Sequence, residues 1–456
     1  MKEKQDLIQS NVAVCKKVNP TRTHKINKDI VVIKETGVSN KYKSKIIDDS
    51  WDFRKANTKE MTHCFHSYPA MMIPQVARRI IENYGKDKDV LFDPYCGTGT
   101  SLVEANIQNI NAIGTDVNPL ARLISKAKTT KISFELLNSE INKFVNYSFN
   151  LNFKVKRNNS IIIPQVINID YWFSKNTQEK LAVILKYIGN INEPKIADFF
   201  KVAFSETVRA VSYVKSGEFK MVRSKYIHDK NDIDVFGIMA AKLSRNKNGL
   251  FEFSEICKND TKSIIYDFNT VENIPNNLLK FNSIDIVVTS PPYGDSRTTV
   301  AYGQFSRLAN EWLGYNAANQ IDNMLMGGKR RKCNFKFSSK DLNEAISKIK
   351  SEDAQRARDV ISFYEDYENS IKNVSKVIKK GGFACYVVGN RTVKGITIPT
   401  DEVTAQIFED CGFIHLETII RNIPSKRMPY KNSPSNVKGL TSSTMKNEYI
   451  VICQKL

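Results

Sequence analysis

An α/β fold built on a doubly wound sheet is what the sequence predicts, and three observations predict it. Val90-Leu91-Phe92-Asp93 reads as an apolar strand that runs into a two-glycine turn, after which Leu102, Val103, Ala105 and Ile107 carry a helix. Ala112-Ile113-Gly114-Thr115 reads as the next strand and ends at Asp116. Farther along, Ile284-Asp285-Ile286-Val287-Val288 is a short buried strand that leads straight into Thr289-Ser290-Pro291-Pro292-Tyr293.

Each turn carries chemistry. In Asp93-Pro94-Tyr95-Cys96-Gly97-Thr98-Gly99-Thr100-Ser101, the two glycines let the backbone approach a ligand closely, and the following helix N-terminus favours a polar or anionic group. Asp116, with Val117 behind it, stands about 20 positions past the glycine turn, a spacing that suits a ribose diol. The longer dinucleotide fingerprint is missing, as is a Gly-Lys-Ser/Thr phosphate loop, which disfavours NAD and ATP. In Ser290-Pro291-Pro292-Tyr293 the prolines fix φ and remove two backbone donors. Nearby carbonyls are then free to face a ligand, and Tyr293 offers a flat face to a planar amine such as a nucleobase. Alone, the run reads as a strand-ending turn; beside the glycine turn it reads as a site.

Together these motifs resemble one family, the exocyclic-amino DNA methyltransferases that use S-adenosylmethionine. Asp93 to Gly99 is similar to their cofactor loop. Ser290-Pro291-Pro292-Tyr293 is similar to their catalytic motif in the serine form typical of cytosine-N4 enzymes, where adenine-N6 enzymes more often carry Asp or Asn. His66-Ser67-Tyr68-Pro69-Ala70-Met71-Met72 resembles the element that borders the methionine end of the cofactor, and Asn259-Asp260-Thr261 the acid-bearing turn near the adenine. The resemblance implies a Rossmann-like S-adenosylmethionine-dependent methyltransferase fold: a seven-stranded mixed sheet with an antiparallel last strand, plus a mainly helical insertion. It implies a cofactor set of His66, Tyr68, Pro69, Asp93 to Thr100, Asp116, Val117, Asp260 and Thr261. Ser290 to Tyr293 would be the catalytic set.

The elements follow in order. Residues 1–62 form a basic, Lys-rich arm, with a short strand expected at Ile30-Val31-Val32-Ile33. Residues 63–129 are the cofactor-binding half, in which Pro74 to Tyr84 reads as a helix with Ile73, Val76, Ala77, Ile80 and Ile81 on one face. Residues 130–255 break the βα rhythm. Gln178 to Tyr187, Ile196 to Val214 and Ile233 to Leu243 have helical spacing, and Lys220, Arg223 and Lys225 sit in a basic, aromatic stretch between them. This insertion is either a recognition region or a structural cap. Residues 256–456 are the catalytic half. It contains the helix Tyr302 to Leu313, the basic run Lys329-Arg330-Arg331-Lys332, the helix Ile361 to Ile378, and a Gly381-Gly382 turn into the strand Phe383 to Val388. The helix Glu402 to Phe408 follows, then a closing antiparallel pair, Phe413 to Ile420 and Glu448 to Cys453. Lys426 and Arg427 lie between those last strands, placed to reach nucleic acid.

Composition agrees. The chain of 456 residues holds 68 Lys and Arg against 48 Asp and Glu, a net charge of +20 that favours a polyanionic partner. Its eight cysteines form no C-x-x-C pair, and His63-Cys64-Phe65-His66 fits no standard metal spacing, so no metal is expected. No signal peptide or membrane-spanning run is visible, and a cytoplasmic location is expected.

A cytosine N4 amine is a poor nucleophile, because its lone pair is delocalised into the ring. Acceptors at the Ser290 hydroxyl and the Pro291 carbonyl would favour the tetrahedral nitrogen that attacks a sulfonium methyl. The base must first leave the duplex stack, and Tyr293 is expected to stack on it. Cys96 lies in the cofactor loop rather than at the catalytic strand end, which argues against carbon-5 chemistry. The expected partners are double-stranded DNA and a cognate restriction endonuclease. An adenine-N6 enzyme on the same scaffold is the rival reading, and an RNA guanine-N2 methyltransferase the second.

Overall fold

The protein is described by a computed structural model covering residues 45–154, 162–226, 233–258, 260–295, 298–330, 336–423, 431–432, 442–443 and 445–456. The strand expected at Ile30 to Ile33, and the basic residues Arg331, Lys332, Lys426 and Arg427, lie outside the described residues.

One sheet of eight strands organises the chain. In chain order its strands are β1 (Lys45–Ile47), β2 (Val90–Asp93), β3 (Asn111–Thr115), β4 (Ser263–Tyr266), β5 (Ile284–Thr289), β6 (Ile378–Val388), β7 (Phe413–Asn422) and β8 (Asn447–Lys455). Their spatial order is β1-β7-β8-β6-β5-β2-β3-β4. Every neighbouring pair is parallel except those of β8, which runs antiparallel to both β6 and β7. The seven strands expected from the sequence are thus joined by an eighth. Lys45–Ile47 extends the β7 edge, where Lys45 pairs with Asp401 at 2.9 Å and Glu402 at 2.5 Å.

Strand side chains alternate between two cores, as a pleated sheet covered on both faces requires. Leu91, Ile286, Val288, Cys385, Val387, Ile450 and Ile452 face a core shared with α1 (Pro74–Tyr84) and α2 (Thr100–Ile107). Phe92, Val287, Ala384, Tyr386, Val388 and Val451 face the opposite core. The helix α3 (Pro119–Thr129) follows β3 and starts with Asn118 capping Leu120.

The insertion brings four long helices: α4 (Phe134–Lys154), α5 (Lys175–Gly189), α6 (Pro194–Val211) and α7 (Val235–Ile256). They share a third core with α3 and with α8 (Tyr302–Trp312), through Phe199, Phe200, Phe204, Leu243, Phe253 and Trp312. The opposite core is closed by α9 (Lys340–Glu352), α10 (Ala354–Val377) and α11 (Thr400–Asp410). Asp353 starts α10 by accepting from the amides of Gln355 and Arg356. The turn expected at Gly381-Gly382 is instead part of β6. That strand begins at Ile378 and absorbs Gly381, at φ +80°, as an irregularity of register against β5.

Topology fixes where chemistry can sit. The parallel strands β2, β3, β4, β5 and β6 deliver their carboxyl ends to one edge, and ligands of open α/β sheets bind there. Because β8 runs the other way, its first residues, Asn447 and Glu448, arrive at that same edge.

Candidate active site

Two adjoining clefts open along the carboxyl edge. The first encloses about 640 Å³, part of it open to solvent, and is walled by Tyr68, Pro69, Asp93, Tyr95 to Thr98, Thr100, Asp116, Ser290, Pro292 and Tyr302. The second, about 420 Å³, shares Tyr95, Asp116 and Pro292 with it and adds Pro94, Val117, Phe268, Asn269 and Met324. Both volumes are in the usual range for small-molecule sites. The glycine turn and the Ser-Pro-Pro-Tyr run, about two hundred residues apart in sequence, thus meet at one cleft because β2 and β5 are hydrogen-bonded neighbours.

Asp93 holds the two motifs together. Its Oδ1 accepts from the Thr289 hydroxyl at 2.6 Å and the Tyr95 amide at 3.1 Å, while its Oδ2 accepts from the Ser101 hydroxyl. Burial pushes its carboxyl up to about 6, with the three donors pulling the other way. Asp116 accepts from the amides of Gly97 at 3.1 Å and Asn118 at 2.8 Å, and burial likewise pushes it up to about 6. Between these acids the turn is close-packed. Gly97 and Gly99 have φ of +48° and +77°, and a Cβ on Gly99 would lie 2.4 Å from the Ser125 hydroxyl. The Thr98 hydroxyl, on the cleft wall, is buried with no partner among the described residues. Such an orphaned group calls for a ligand partner.

At the other wall, Tyr302 stacks on Tyr68 with centroids 6.0 Å apart and planes at 22°. The Tyr68 hydroxyl accepts from Asn118 at 2.8 Å. Cys96 is buried, and desolvation, with Asp116 and Asp93 nearby, raises its thiol well above the ordinary range, which disfavours a thiolate.

Several expected site residues stand elsewhere. Asp260 and Thr261 precede β4, at its amino end, and the Thr261 hydroxyl donates to the Asn106 carbonyl at the end of α2. They are at the edge opposite the clefts; the carboxyl end of β4 instead delivers Asp267, Phe268 and Asn269. His66 is buried off the cleft wall, its ring edge-on to Tyr68 and Phe305, and burial pushes it down to about 4, so its imidazole is neutral. Gly99 and Pro291 also stand off both cleft walls. Tyr293 is not a cleft face either. Its hydroxyl accepts from Ser290 at 3.3 Å and donates to Glu448 at 3.0 Å. The aromatic faces on the cleft are Tyr302 and Tyr68.

The basic candidates divide. Lys220 and Lys225 are exposed on the segment Tyr213 to Tyr226, which doubles back through a bridge between Val214 and Arg223. Arg223 is half-buried between the rings of Tyr171 and Tyr213, at 4.3 and 5.3 Å, and so is held in place. Arg209 ties this segment to α8. It lies 4.1 Å from the centre of the Phe305 ring and donates to the carbonyls of Phe305, Glu218 and Phe219. Lys329 is exposed, and Arg330 pairs with Asp359 at 2.6 Å. Among the described residues no cluster of three His, Cys, Asp or Glu could hold a metal ion. No described helix is long and apolar enough to cross a membrane.

Comparison with known proteins places this geometry. A family model described as DNA methylase, of the N6/N4 type, matches residues 3–126 and 284–456. The Type II methyltransferase M.MvaI of Kocuria varians is 39% identical over 453 residues, covering 92% of this chain and 97% of that protein. The chain belongs to the N6/N4 DNA methylase family. A second relative, the Type II methyltransferase M.MjaII of Methanocaldococcus jannaschii, is 26% identical over 195 residues, 40% of this chain and 33% of that protein. The tRNA (guanine(10)-N2)-dimethyltransferase of Methanothermobacter thermautotrophicus shares 38% identity over only 52 residues, 11% of this chain and 16% of that protein. The family model skips residues 127–283, which hold the insertion. As a methylase of this family the protein uses S-adenosylmethionine, which supplies a methyl group activated on a sulfonium centre. The clefts fit that group by chemistry: a carboxylate for a diol, an orphaned Thr98 hydroxyl, and a second, mostly apolar recess next to Asp116.

Proposed function

We propose that the methylase modifies the exocyclic N4 of cytosine in double-stranded DNA, as the protective half of a Type II restriction–modification system with a cognate endonuclease. Ser290 carries the choice of base, being a neutral acceptor where a carboxylate or amide would suit adenine N6. The match to M.MvaI over nearly its whole length supports the Type II reading.

In this reading Asp116 takes the ribose and Thr98 and Thr100 border the cofactor's polar end. Val117 and Phe268 flank its adenine, and Tyr68, Pro69 and Met72 border its methionine. The flipped cytosine enters between Ser290, Pro292 and the Tyr302 ring, its amine donating to the Ser290 oxygen. That acceptor favours a tetrahedral nitrogen, and the cleft walls hold it in line with the methyl. Lys220, Lys225 and Lys329, with the neighbouring basic residues, neutralise phosphates beside the mouth. The insertion is then the recognition region, joined to the catalytic edge by Arg209.

Labelled methyl transfer tests the substrate. Duplex DNA should accept methyl groups while tRNA does not; acceptance by tRNA alone would favour the guanine-N2 reading. Ser290→Ala should lose at least a hundredfold in turnover and keep cofactor affinity, a size usual for removing one preorganised hydrogen-bond partner, about 10² to 10³. Full turnover in Ser290→Ala would overturn the site.

A further inference from the structure

A serine hydroxyl has one proton and two lone pairs. To accept from a base amine, Ser290 must send its own proton elsewhere. The structure shows where it goes. Ser290 Oγ donates to the Tyr293 hydroxyl at 3.3 Å, and that hydroxyl donates to Glu448 Oε1 at 3.0 Å. The other oxygen of Glu448 accepts from Arg421 Nη1. Arg421 is only 4% exposed and is fixed from behind, its Nε donating to the Trp51 carbonyl at 2.8 Å and its Nη2 to the Asp52 carbonyl at 3.2 Å. Asp52 in turn accepts from the Asn422 amide at 2.7 Å.

Each link has a structural cause. Glu448 and Arg421 are opposed in the register of β8 and β7, so their pairing is set by the sheet. The antiparallel course of β8 is what brings Glu448 to the carboxyl edge. Residues Trp51 and Asp52 follow the edge strand β1. The Tyr293 ring is confined, since a Cβ on Gly389 would lie 2.8 Å from it. Burial raises the Tyr293 hydroxyl well above its ordinary range, so it keeps its proton and donates it to Glu448.

Resting on the reading of Ser290 as the amine acceptor, we propose that Glu448 is a positioning residue for methyl transfer. Anchored by Arg421, it draws the hydroxyls of Tyr293 and Ser290 into one direction of donation and leaves the Ser290 lone pairs facing the cleft. Glu448 touches neither substrate nor cofactor; its effect passes through Tyr293. The turn that follows β1 takes part by holding Arg421 through the Trp51 and Asp52 carbonyls. Such a chain aligns its dipoles cooperatively and costs no reorganisation when the base arrives.

A double-mutant cycle on the full-length protein tests this, using single-turnover methyl transfer to duplex DNA with cofactor and DNA affinities measured alongside. Glu448→Gln and Tyr293→Phe should each slow transfer about tenfold or more, with both affinities within about twofold of wild type. Because Glu448 acts through the hydroxyl, the double variant should be no slower than Tyr293→Phe alone. Tyr293→Phe keeps the Arg421–Glu448 pair, so its loss cannot come from an unpaired buried arginine. Multiplying effects, or wild-type transfer in Tyr293→Phe, would overturn the proposal. Ser290→Ala separates the two failures. A slow Ser290→Ala beside wild-type rates in Tyr293→Phe and Glu448→Gln sinks the relay alone, whereas a fully active Ser290→Ala sinks the reading of Ser290 beneath it.

Discussion

The catalytic edge and the insertion are built in opposite ways. At the edge, buried acids with several donors each lock two loops from distant parts of the chain. Asp93 alone holds Thr289, Ser101 and Tyr95. On the insertion, the segment Tyr213 to Tyr226 presents exposed lysines and hangs from α8 chiefly by Arg209 and by the Met221 amide, which donates to Gln304 at 3.2 Å. In the proposed reading the edge does the chemistry, which needs fixed atoms, and it has a dense polar network. The segment would bind a long polyanion, which needs charge on an outer surface and only a few tethers.

That contrast sets the order of expected effects. The largest belongs to Asp93→Ala. It leaves two hydroxyls buried without a partner, each costing roughly 1–3 kcal/mol. Thermal denaturation should show a melting temperature lower by several degrees, and transfer should fall by more than about a hundredfold. Next comes pH. Asp116 is pushed up to about 6 by burial, so in the free protein its carboxylate form is complete only above that value. Calorimetric titration should find cofactor affinity steady above about pH 6 and falling up to tenfold per unit below it. In Asp116→Asn the affinity should be weaker and the slope at least reduced; an unchanged slope would move the diol site elsewhere.

Smaller effects belong to the insertion. Arg209→Ala frees the segment from α8 and should raise the dissociation constant for duplex DNA about tenfold while leaving cofactor affinity alone. It should also cost roughly 2 kcal/mol of stability through the lost carbonyl partners. The smallest changes are those of Lys220→Ala and Lys225→Ala. Each should weaken DNA binding evenly across sequences and reduce the salt slope by about 1, with turnover at saturation unchanged. A turnover loss in either would erase the division between the two regions.

The meeting of the two motifs at one cleft was legible because each is written in consecutive residues. Asp93 to Ser101 and Ser290 to Tyr293 lie at strand ends, and a strand end is a local property. Asp116 followed from the same rhythm. Asp260 and Thr261, expected beside the cofactor, stand at the opposite edge from the clefts; β4 is a four-residue strand with half-exposed side chains, which leaves its limits without a hydrophobic pattern. An acid before that strand and one after it look alike in sequence, yet only the strand direction sends Asp267 and Phe268 to the cleft edge. Tyr293 was read as an open face because its partner, Glu448, is 155 residues away and is brought close only by the register of β8. Lys45–Ile47 offers three residues and no period at all. Three of the four long insertion helices were visible and α4 was not, and their shared core with α3 and α8 is a matter of packing between distant segments.

The most direct test of the whole account is the identity of the methylated base. Duplex DNA modified by the purified protein, digested to nucleosides and resolved by mass spectrometry, should yield N4-methylcytosine. Ser290→Ala should remove that product. N6-methyladenine as the sole modified nucleoside would contradict the assignment of Ser290 to cytosine.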